Sequence, residues 1–496
     1  MLLKNMIKRS DMISCCLCKD APCSDACPFI NTVKVLRHVW FDNEDIAALE
    51  LDDNPCINCD GQCEDACVKK GKVHIKGIIE KLINEVRPKA EIDIPVDYSR
   101  LKCDICGIEI ENPFLLSSSV VASTYDMCAR AFEAGWAGAC FKTICSFDIH
   151  EASPRFSAIT GDNGSIVGFK NIEQLSDHSV AENMEIFRRL KEKYPSKFIL
   201  ASIMGQYEEE WENLARLCEE NGADAIELNF SCPNMQEDGL GSDIGQIPEL
   251  VEKYTRAAKR GTKIPVIAKL TPNVASMSPA AEAAISGGAD GIAAINTIKS
   301  VMGVNPFSYV SAPAVKGKSA IGGYSGLAVK PIALRFISEL GQNTKMKGKH
   351  ISGMGGIETW RDSLEFILMG SGSIQITTAV MQYGYRIIDD LKDGLNYYLA
   401  QMGIGSVKDI IGAGLDSVSE TTDVLDRDSV LFPKFDIVRC IGCGRCVISC
   451  DDGGHQAIRF ENRIPKLDGS RCVGCHLCML VCPCDAIYPA EKRIQR

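Results

Sequence analysis

The sequence lacks the features that define a membrane-spanning or secreted protein. It has no run of 18 apolar residues, and its first residues, MLLKNMIKRSDM, contain no apolar stretch of the kind found in signal peptides. A net charge of −11 leaves no excess of basic residues for nucleic acid or for an anionic membrane surface. We therefore expect a soluble, cytoplasmic protein that binds neither nucleic acid nor membrane.

A dinucleotide-binding domain is also missing from the pattern. No G-x-G-x-x-G motif follows any predicted strand, so the sequence predicts no domain for FAD or NAD(P). The 496 residues, 46% of them hydrophobic, provide for about three domains with sizeable cores.

Cysteine, by contrast, is abundant, and 16 of the 25 cysteines lie in four tight groups, two near each end of the chain. The two C-terminal groups each read C-x2-C-x2-C-x3-C, the spacing of bacterial ferredoxins, where each [4Fe–4S] cluster takes its fourth thiolate from the other group. This rule predicts two ligand sets: Cys440, Cys443, Cys446 and Cys482; and Cys450, Cys472, Cys475 and Cys478. A zinc ribbon or a disulfide scaffold is the alternative. The two predicted clusters indicate that the protein functions in electron transfer.

The two N-terminal groups have less standard spacing: Cys15, Cys18, Cys23 and Cys27; and Cys56, Cys59, Cys63 and Cys67. Eight thiols suffice for two more clusters, and ligand sharing between the groups is again expected. Structural zinc is the alternative, because four-cysteine spacing does not separate zinc from iron. We favour iron because the same chain carries the C-terminal pair. Cys16 and Cys484 are interpreted as spectators.

Between the cysteine groups, short apolar runs alternate with helical segments. Eight parallel βα units in about 300 residues predict a TIM barrel. The predicted strands are Phe114–Ser118, Gly138–Thr143, Phe198–Ile203, Ala225–Phe230, Pro265–Leu270, Gly291–Asn296, His350–Gly355 and Ser373–Thr378.

Polar residues stand at the carboxyl ends of these strands, where barrels of this kind carry their active sites. Two of them are lysines, which suggests an anionic cofactor. Gly353, Gly355 and Gly356 follow strand seven, and Thr377 and Thr378 close strand eight, as in the usual phosphate cradle. Since clusters carry single electrons and metabolites usually exchange two, we predict FMN as the intermediary.

Strand four continues into Cys232, which precedes a glycine-rich loop. A thiol at the mouth of a flavin barrel is a candidate acid or base beneath a lid. The alternative is an ordinary buried thiol.

The motifs NFSCPN, AKLTPNV, GGADGIAAINT and SPRF together resemble the FMN barrel of class 1 dihydroorotate dehydrogenases and dihydropyrimidine dehydrogenase. Both cysteine-rich ends resemble the iron–sulfur domains of the dihydropyrimidine dehydrogenase family, whose FAD and NADPH domains are absent here. The resemblance implies a helical iron–sulfur domain (1–100), an FMN-binding TIM barrel (101–425) and a ferredoxin-like 2[4Fe–4S] domain (426–496).

Site residues follow from the resemblance. It implies FMN contacts from Ser118, Lys142, Thr143, Lys269, Gly326, Met354, Gly355, Gly356, Thr377 and Thr378. It implies a pyrimidine held by Asn171, Glu173, Asn229, Asn296 and Thr297. Cys232 is implied as the general acid that protonates C5 while FMN provides hydride to C6. Amide side chains match the alternating donors and acceptors of a uracil ring.

The sequence departs from the family at several positions. Asn234 stands where dihydropyrimidine dehydrogenase has His and the dihydroorotate enzymes have Asn, and Met354 replaces the usual Thr. The stretch 77–80 lacks the family's Gln ligand, while Cys56 adds a thiol, so we infer all-cysteine ligation. Cys103 and Cys106 lie outside the pattern and are interpreted as an ordinary thiol pair.

Three functions are compatible with this sequence. The first interconverts uracil or thymine and the 5,6-dihydro forms, as in pyrimidine catabolism. The second is a dihydroorotate dehydrogenase with iron–sulfur wiring, and the third a non-catalytic electron-transfer subunit. The resemblance to the dihydropyrimidine dehydrogenase family also implies a homodimer, and an external electron partner is expected, either an FAD/NAD(P)H subunit or a ferredoxin.

Overall fold

The structure, a computed structural model, describes residues 12, 15–51, 54–69, 71, 73–90, 92–161, 165–235 and 240–495. Described residues up to Ser417 form one compact unit, and those from Val418 onward form a second. Within these ranges, no helix is long and apolar enough to cross a membrane.

The cysteine-rich N-terminal segment is helical. Its helices are α1 (Pro22–Asp25), α2 (Thr32–Trp40), α3 (Glu44–Leu49), α4 (Gln62–Asp65) and α5 (Ile75–Lys81). Arg37 of α2 pairs with the buried carboxylate of Asp390 at 2.8 Å, and Asn43 donates to the Asp390 carbonyl at 2.8 Å. These buried polar contacts join the segment to the part of the chain that follows it.

The rest of the first unit alternates strands and helices. The strands are β1 (Cys103–Ile105), β2 (Ile108–Ile110), β3 (Phe114–Leu116), β4 (Gly138–Cys140), β5 (Phe156–Thr160), β6 (Ile166–Asn171), β7 (Phe198–Ile203), β8 (Ala225–Phe230), β9 (Val266–Leu270), β10 (Gly291–Ala294), β11 (Ile298–Ser300), β12 (Gly322–Ser325), β13 (His350–Gly353) and β14 (Ser373–Ile376). The helices are α6 (Tyr125–Ala134), α7 (Val180–Lys193), α8 (Glu208–Glu220), α9 (Pro248–Gly261), α10 (Ser278–Ser286), α11 (Lys330–Gln342), α12 (Trp360–Leu368), α13 (Thr378–Tyr383) and α14 (Ile387–Gln401).

Eight of these strands close into a parallel barrel, in the order β10-β13-β14-β3-β4-β7-β8-β9. The predicted TIM barrel is therefore confirmed, and each predicted strand corresponds to one barrel strand. All residues of β7 and β8 are buried, as expected for strands with side chains packed on both faces. Helix α8 covers the barrel with an apolar face that buries Trp211, Leu214, Ala215 and Cys218.

Five strands end two or three residues earlier than predicted: β3, β4, β10, β13 and β14. The residues beyond them, including Ser118, Lys142 and Thr143, lie in the connecting segments at the barrel mouth. Their polar side chains face a cavity there and take no part in the barrel's strand pairing.

A second sheet in this unit was not predicted. Strands β11, β12, β6 and β5 form an antiparallel sheet in that order, built from the segments that follow β4 and β10. Pairing of Asn171 with Gly323 joins segments more than 150 residues apart. This sheet carries Asn171, and Gly326 follows its strand β12 directly, so it brings two predicted site residues to the barrel mouth.

The second unit is small and consists of short elements. They are β15 (Ser429–Val430), β16 (Pro433–Phe435), α15 (Arg445–Gly453), β17 (Ile458–Glu461), β18 (Ile464–Leu467), α16 (Leu477–Leu480), β19 (Ile487–Pro489) and β20 (Ile494–Gln495). Its buried core consists of Cys446, Ile458, Cys478 and Ile487. Two of these four are motif cysteines, so predicted cluster ligands form part of the core.

Candidate active site

A single cavity at the carboxyl ends of the barrel strands brings the predicted site residues together. Its volume is about 1130 Å³, including the open solvent at its mouth. It is lined by Cys232, by all ten predicted FMN contacts and by the five predicted pyrimidine contacts. The individual roles of these residues remain predictions.

One end of the cavity is formed by backbone that permits close approach. Gly355 and Gly356 have φ angles of 123° and 79°, in the left-handed region that favours glycine. A Cβ at Gly356 would lie 2.7 Å from the Lys330 backbone nitrogen and 2.9 Å from the Gly326 oxygen. The hydroxyl of Thr378 lies 3.0 Å from that of Ser325 in the same wall. Glycines and hydroxyls at this place fit the phosphate of FMN.

An ion-pair cluster lies on another wall. The Lys142 ammonium is 3.1 Å from Glu173 Oε1 and 3.5 Å from Glu151 Oε1. The Arg155 guanidinium is 3.2 Å from the same Glu173 oxygen and 3.9 Å from Glu151. Burial raises the pKa of Glu173, although Lys142 and Arg155 favour its ionised form. The two basic and the two acidic side chains of this cluster therefore have a combined net charge of zero.

Amide and hydroxyl side chains form a connected network around the centre of the cavity. Asn229 donates to Thr143 Oγ1 at 2.8 Å, and Ser231 donates to Asn229 Oδ1 at 2.9 Å. Asn296 donates in turn to Ser231 Oγ at 2.9 Å. These bonds fix the orientation of the two Asn side chains, which a planar ring with donors and acceptors requires.

Asn234 is a lining residue to which the resemblance gave no role. Its amide donates to Asn171 Oδ1 at 3.1 Å and to the Glu173 carbonyl at 2.7 Å. Its Oδ1 is buried without a hydrogen-bond partner among the described residues. Asn234 thus ties two predicted pyrimidine contacts together. The sequence signal was present in the motif NFSCPN, where Asn234 ends the run.

Cys232 is buried in this cavity wall. Burial raises the pKa of its thiol to about 11, so the thiol is protonated at neutral pH. A protonated thiol fits the predicted role of proton donor. The loop that was predicted to cover it includes residues 236–239, which lie outside the described residues.

The C-terminal cysteines occupy two neighbourhoods. Cys440, Cys443, Cys446 and Cys482 line one cavity, which is the first ligand set that the ferredoxin rule predicted. Cys475 and Cys450 lie close enough to Cys472 to add to the rise in its pKa that burial causes. Cys484 lines the first cavity too, and its sulfur is 3.8 Å from that of Cys482.

The N-terminal cysteines divide in the same crossed way. Cys15, Cys18 and Cys23 line a cavity together with Cys67 from the second group. Burial raises the pKa of Cys56 to about 11, and Cys59 and Cys27 lie close enough to contribute. Cys27 and Cys56 also lie close enough to Cys63 to add to the rise in its pKa that burial causes. Each neighbourhood therefore offers four motif thiols, which fits a [4Fe–4S] cluster.

Among the other thiols, Cys16 and Cys484 line the same cavities as motif cysteines. Burial raises the pKa of Cys103 and Cys106, beside the β1–β2 turn, to about 12, so both are protonated at neutral pH. In the described part of the chain, no three Cys, His, Asp or Glu side chains are close enough to hold a single metal ion.

The closed barrel and its cavity define a flavin-type dehydrogenase joined to a C-terminal iron–sulfur domain, and comparison with known proteins agrees. The family model for dihydroorotate dehydrogenase matches residues 100–399, and that for a 4Fe-4S dicluster domain matches residues 434–488. The chain belongs to the dihydroorotate dehydrogenase family.

Several relatives narrow this placement. The NAD-dependent dihydropyrimidine dehydrogenase subunit PreA of Escherichia coli is 50% identical over 363 residues, 73% of this chain and 88% of the relative. The chloroplastic dihydropyrimidine dehydrogenase (NADP(+)) of Arabidopsis thaliana is 36% identical over 66% of this chain and 80% of the relative. The catalytic subunit of dihydroorotate dehydrogenase B (NAD(+)) from Pyrococcus abyssi is 38% identical over 64% of this chain and 99% of the relative.

A solved structure supports the fold alone. Dihydroorotate dehydrogenase from Eimeria tenella, in complex with ferulenol, is 18% identical, with a TM-score of 0.53 over 66% of this chain and 92% of that one. Together the comparisons establish an iron–sulfur flavin oxidoreductase that acts on CH–CH groups and resembles dihydropyrimidine dehydrogenase. The family implies FMN, and the dicluster domain implies iron–sulfur clusters.

Proposed function

We propose that this enzyme interconverts uracil or thymine and their 5,6-dihydro forms. The observation that carries the proposal is the convergence of Asn171, Glu173, Asn229, Asn296 and Thr297 with Cys232 on one cavity. The activities that the names of the Escherichia coli and Arabidopsis thaliana relatives describe support it.

The chain's own residues bind and orient the ring. Asn229 and Asn296, fixed through Ser231, present amide donors and acceptors to the carbonyls and N–H groups of a pyrimidine. Lys142 and Arg155 both contact Oε1 of Glu173 and fix the position of its carboxylate. In that position the carboxylate accepts a ring N–H. When bound, FMN supplies the hydride that reaches C6. Cys232 donates the proton to C5 and recovers it in the reverse direction.

The balanced ion-pair cluster argues for uracil or thymine over orotate. An orotate carboxylate needs a cation, and both Lys142 and Arg155 are already paired with Glu173 and Glu151. The ionised Glu173 would also repel it. Faster turnover of a neutral pyrimidine than of orotate is the expected result.

Anaerobic turnover with reduced viologen against uracil, thymine and orotate tests this expectation. Glu173→Gln should lower kcat/KM for uracil and raise it for orotate, because the variant leaves a net positive charge at the cluster. Glu220→Gln is a matched control, since Glu220 pairs with Arg216 on the exposed face of α8. If the wild-type protein reduces orotate faster than uracil, the dihydroorotate reading replaces ours.

Dihydroorotate dehydrogenase activity is the second candidate, and Asn234 favours it. The resemblance places Asn at this position in the dihydroorotate enzymes. In the structure Asn234 contacts Asn171 and Glu173, two predicted pyrimidine contacts. The substrate comparison above separates the two candidates directly.

We further propose four [4Fe–4S] clusters in a cytoplasmic homodimer, with electrons crossing from one chain's N-terminal clusters to its partner's C-terminal pair. Free thiols in this number fit a reducing compartment. An external FAD/NAD(P)H subunit or a ferredoxin is proposed to dock near Cys15–Cys67. Phe29, Ile57 and Val68, which adjoin motif cysteines, are 64%, 72% and 69% exposed and offer apolar contact there.

A further inference from the structure

A buried ion pair lies in the barrel interior, on the adjacent strands β8 and β9. Glu227 is fully buried and Lys269 is 3% exposed, and the Lys269 ammonium is 3.3 Å from Glu227 Oε1. The same ammonium is 3.3 Å from Ser117 Oγ. Lys269 lines the cavity, and Glu227 is not among its lining residues. Glu227 is therefore separated from a bound group by Lys269 and Gln375, which both contact its carboxylate and line the cavity.

The other contacts of Glu227 are neutral donors. Gln375 Nε2 donates to Glu227 Oε2 at 3.1 Å and to Ser352 Oγ at 3.1 Å. Burial and the adjacent Glu227 raise the pKa of the Cys140 thiol well above its usual value, so that this thiol stays protonated and hydrogen-bonds to the carboxylate. These donors come from β14 and β4, on the opposite side of the barrel from Lys269. They fix the carboxylate in place without changing its charge.

In this buried interior, the electrostatic effects of Lys269 and Glu227 on their surroundings depend strongly on each other. The low dielectric of the interior makes the interaction of each charge with its surroundings larger than in water. When one member of a buried pair is removed, the charge of the other is left uncompensated. The carboxylate of Glu227 therefore offsets part of the positive electrostatic potential that the Lys269 ammonium produces in the cavity.

We propose that Glu227 is a positioning residue that sets the reduction potential of FMN through Lys269. This inference rests on the proposed binding of FMN in the cavity that Lys269 lines. Two-electron reduction increases the electron density of the flavin ring, and an adjacent cation stabilises that form. By offsetting the ammonium, Glu227 lowers the potential and keeps the bound flavin a stronger reductant.

The test is the two-electron midpoint potential of FMN in the holoenzyme carrying Glu227→Gln. Glutamine keeps the shape and an acceptor for Lys269 while removing the charge. We expect the reduced form to be stabilised at least tenfold relative to the oxidised form, which is a rise of about 30 mV for a two-electron couple. A potential that is unchanged or lower in this variant would overturn the proposal.

Two further variants separate charge from packing. Cys140→Ala removes a neutral contact of Glu227 and should leave the potential close to that of the wild type. In a Lys269→Met background, Glu227→Gln should have no further effect, because the effect passes through Lys269. The same rise in that background would show that Glu227 acts on the flavin by another route and would overturn the inference.

Loss of FMN affinity does not remove the test. In that case the affinities of the variant for oxidised and for reduced FMN are measured separately, because their ratio determines the midpoint potential of bound FMN relative to free FMN. We expect the affinity for oxidised FMN to fall at least tenfold more than the affinity for reduced FMN. A wild-type protein without FMN would refute the proposed cofactor, whereas a wild type with FMN and an unshifted variant would refute only this inference.

Discussion

Burial of Cys232 decides which protonation state is available for chemistry. With its pKa raised to about 11, the thiol is a proton donor at neutral pH, as ring reduction requires. Oxidation of a dihydropyrimidine requires the thiolate instead. Residues of the same type elsewhere in the chain, such as Cys218, are equally buried but lie outside the cavity. Position, not residue type, makes Cys232 the candidate acid.

Cys232→Ala should reduce turnover of uracil by about 10²–10⁴-fold, the usual contribution of a positioned acid. The bound FMN and the cluster absorption should be unchanged, because the side chain is small and lies in the cavity wall. Steady-state rates and visible spectra of the same preparation measure both.

Cys218→Ala is the matched control and should retain wild-type turnover. The pH dependence gives an independent check. Reduction should not lose this acid until the pH approaches about 11, while oxidation should increase with pH over the same range as the thiolate forms. Near-normal turnover of Cys232→Ala would assign the proton to another group or to water.

At the scale of elements, the cysteine groups act in crossed pairs. Of the N-terminal motif cysteines, Cys23 and Cys63 lie in the short helices α1 and α4 and the others lie outside helices. The folded segment brings Cys67 beside Cys15, Cys18 and Cys23. Cys27 joins the neighbourhood of Cys56 and Cys63. The N-terminal spacing differs from the ferredoxin pattern, yet the crossing resembles that of the C-terminal groups.

The wild-type protein, purified without oxygen, should contain about sixteen irons per chain, four for each of four clusters. Cys67→Ala should lower this to about twelve, because one N-terminal cluster loses a ligand that no other motif cysteine replaces. Metal analysis with electron paramagnetic resonance of the reduced protein measures the change.

Cys16→Ala is the control for this variant and should keep all of the iron. Zinc in the wild-type protein, with only about eight irons, would show that the N-terminal groups are structural zinc sites and leave the C-terminal clusters in place.

At the scale of the whole molecule, the N-terminal segment and the barrel form one compact unit. Arg386 donates to the carbonyls of Leu17 and Cys18, so the barrel holds the loop that carries the first cysteine group. The chain therefore carries its own proposed electron-entry clusters, while no dinucleotide-binding motif was found in the sequence. We propose that the electrons come from another protein.

Purified protein mixed with NADH or NADPH, without a partner, should show no bleaching of its flavin absorption. Reduction should appear when a ferredoxin or an FAD-containing NAD(P)H oxidoreductase is added, since the proposed entry clusters lie near the exposed Phe29, Ile57 and Val68. Phe29→Ser should weaken this reduction several-fold while turnover with reduced viologen is unchanged. Rapid bleaching by NADH alone would reveal a nicotinamide site in the chain.

Local patterns in the sequence determined the barrel and the iron–sulfur motifs. Strands such as Phe198–Ile203 and Ala225–Phe230 were predicted at their observed bounds, because runs buried on both faces are predominantly apolar. The C-terminal ligand sharing was predicted from spacing and stays a prediction, since a cluster fixes the distances between its cysteines. Resemblance supplied the individual site residues, all of which line one cavity.

Only the tertiary structure decided what depends on contacts between distant segments. The β5–β6–β12–β11 sheet pairs segments over 150 residues apart, and such pairing leaves no local periodicity. Arg155 lies beside Glu173 because β5 and β6 pair Phe156 with Asn171, and Glu227 lies beside Lys269 because β8 and β9 are adjacent in the barrel. Sequence thus specified which groups are present, whereas the fold set their distances and burial, which determine charge balance and pKa.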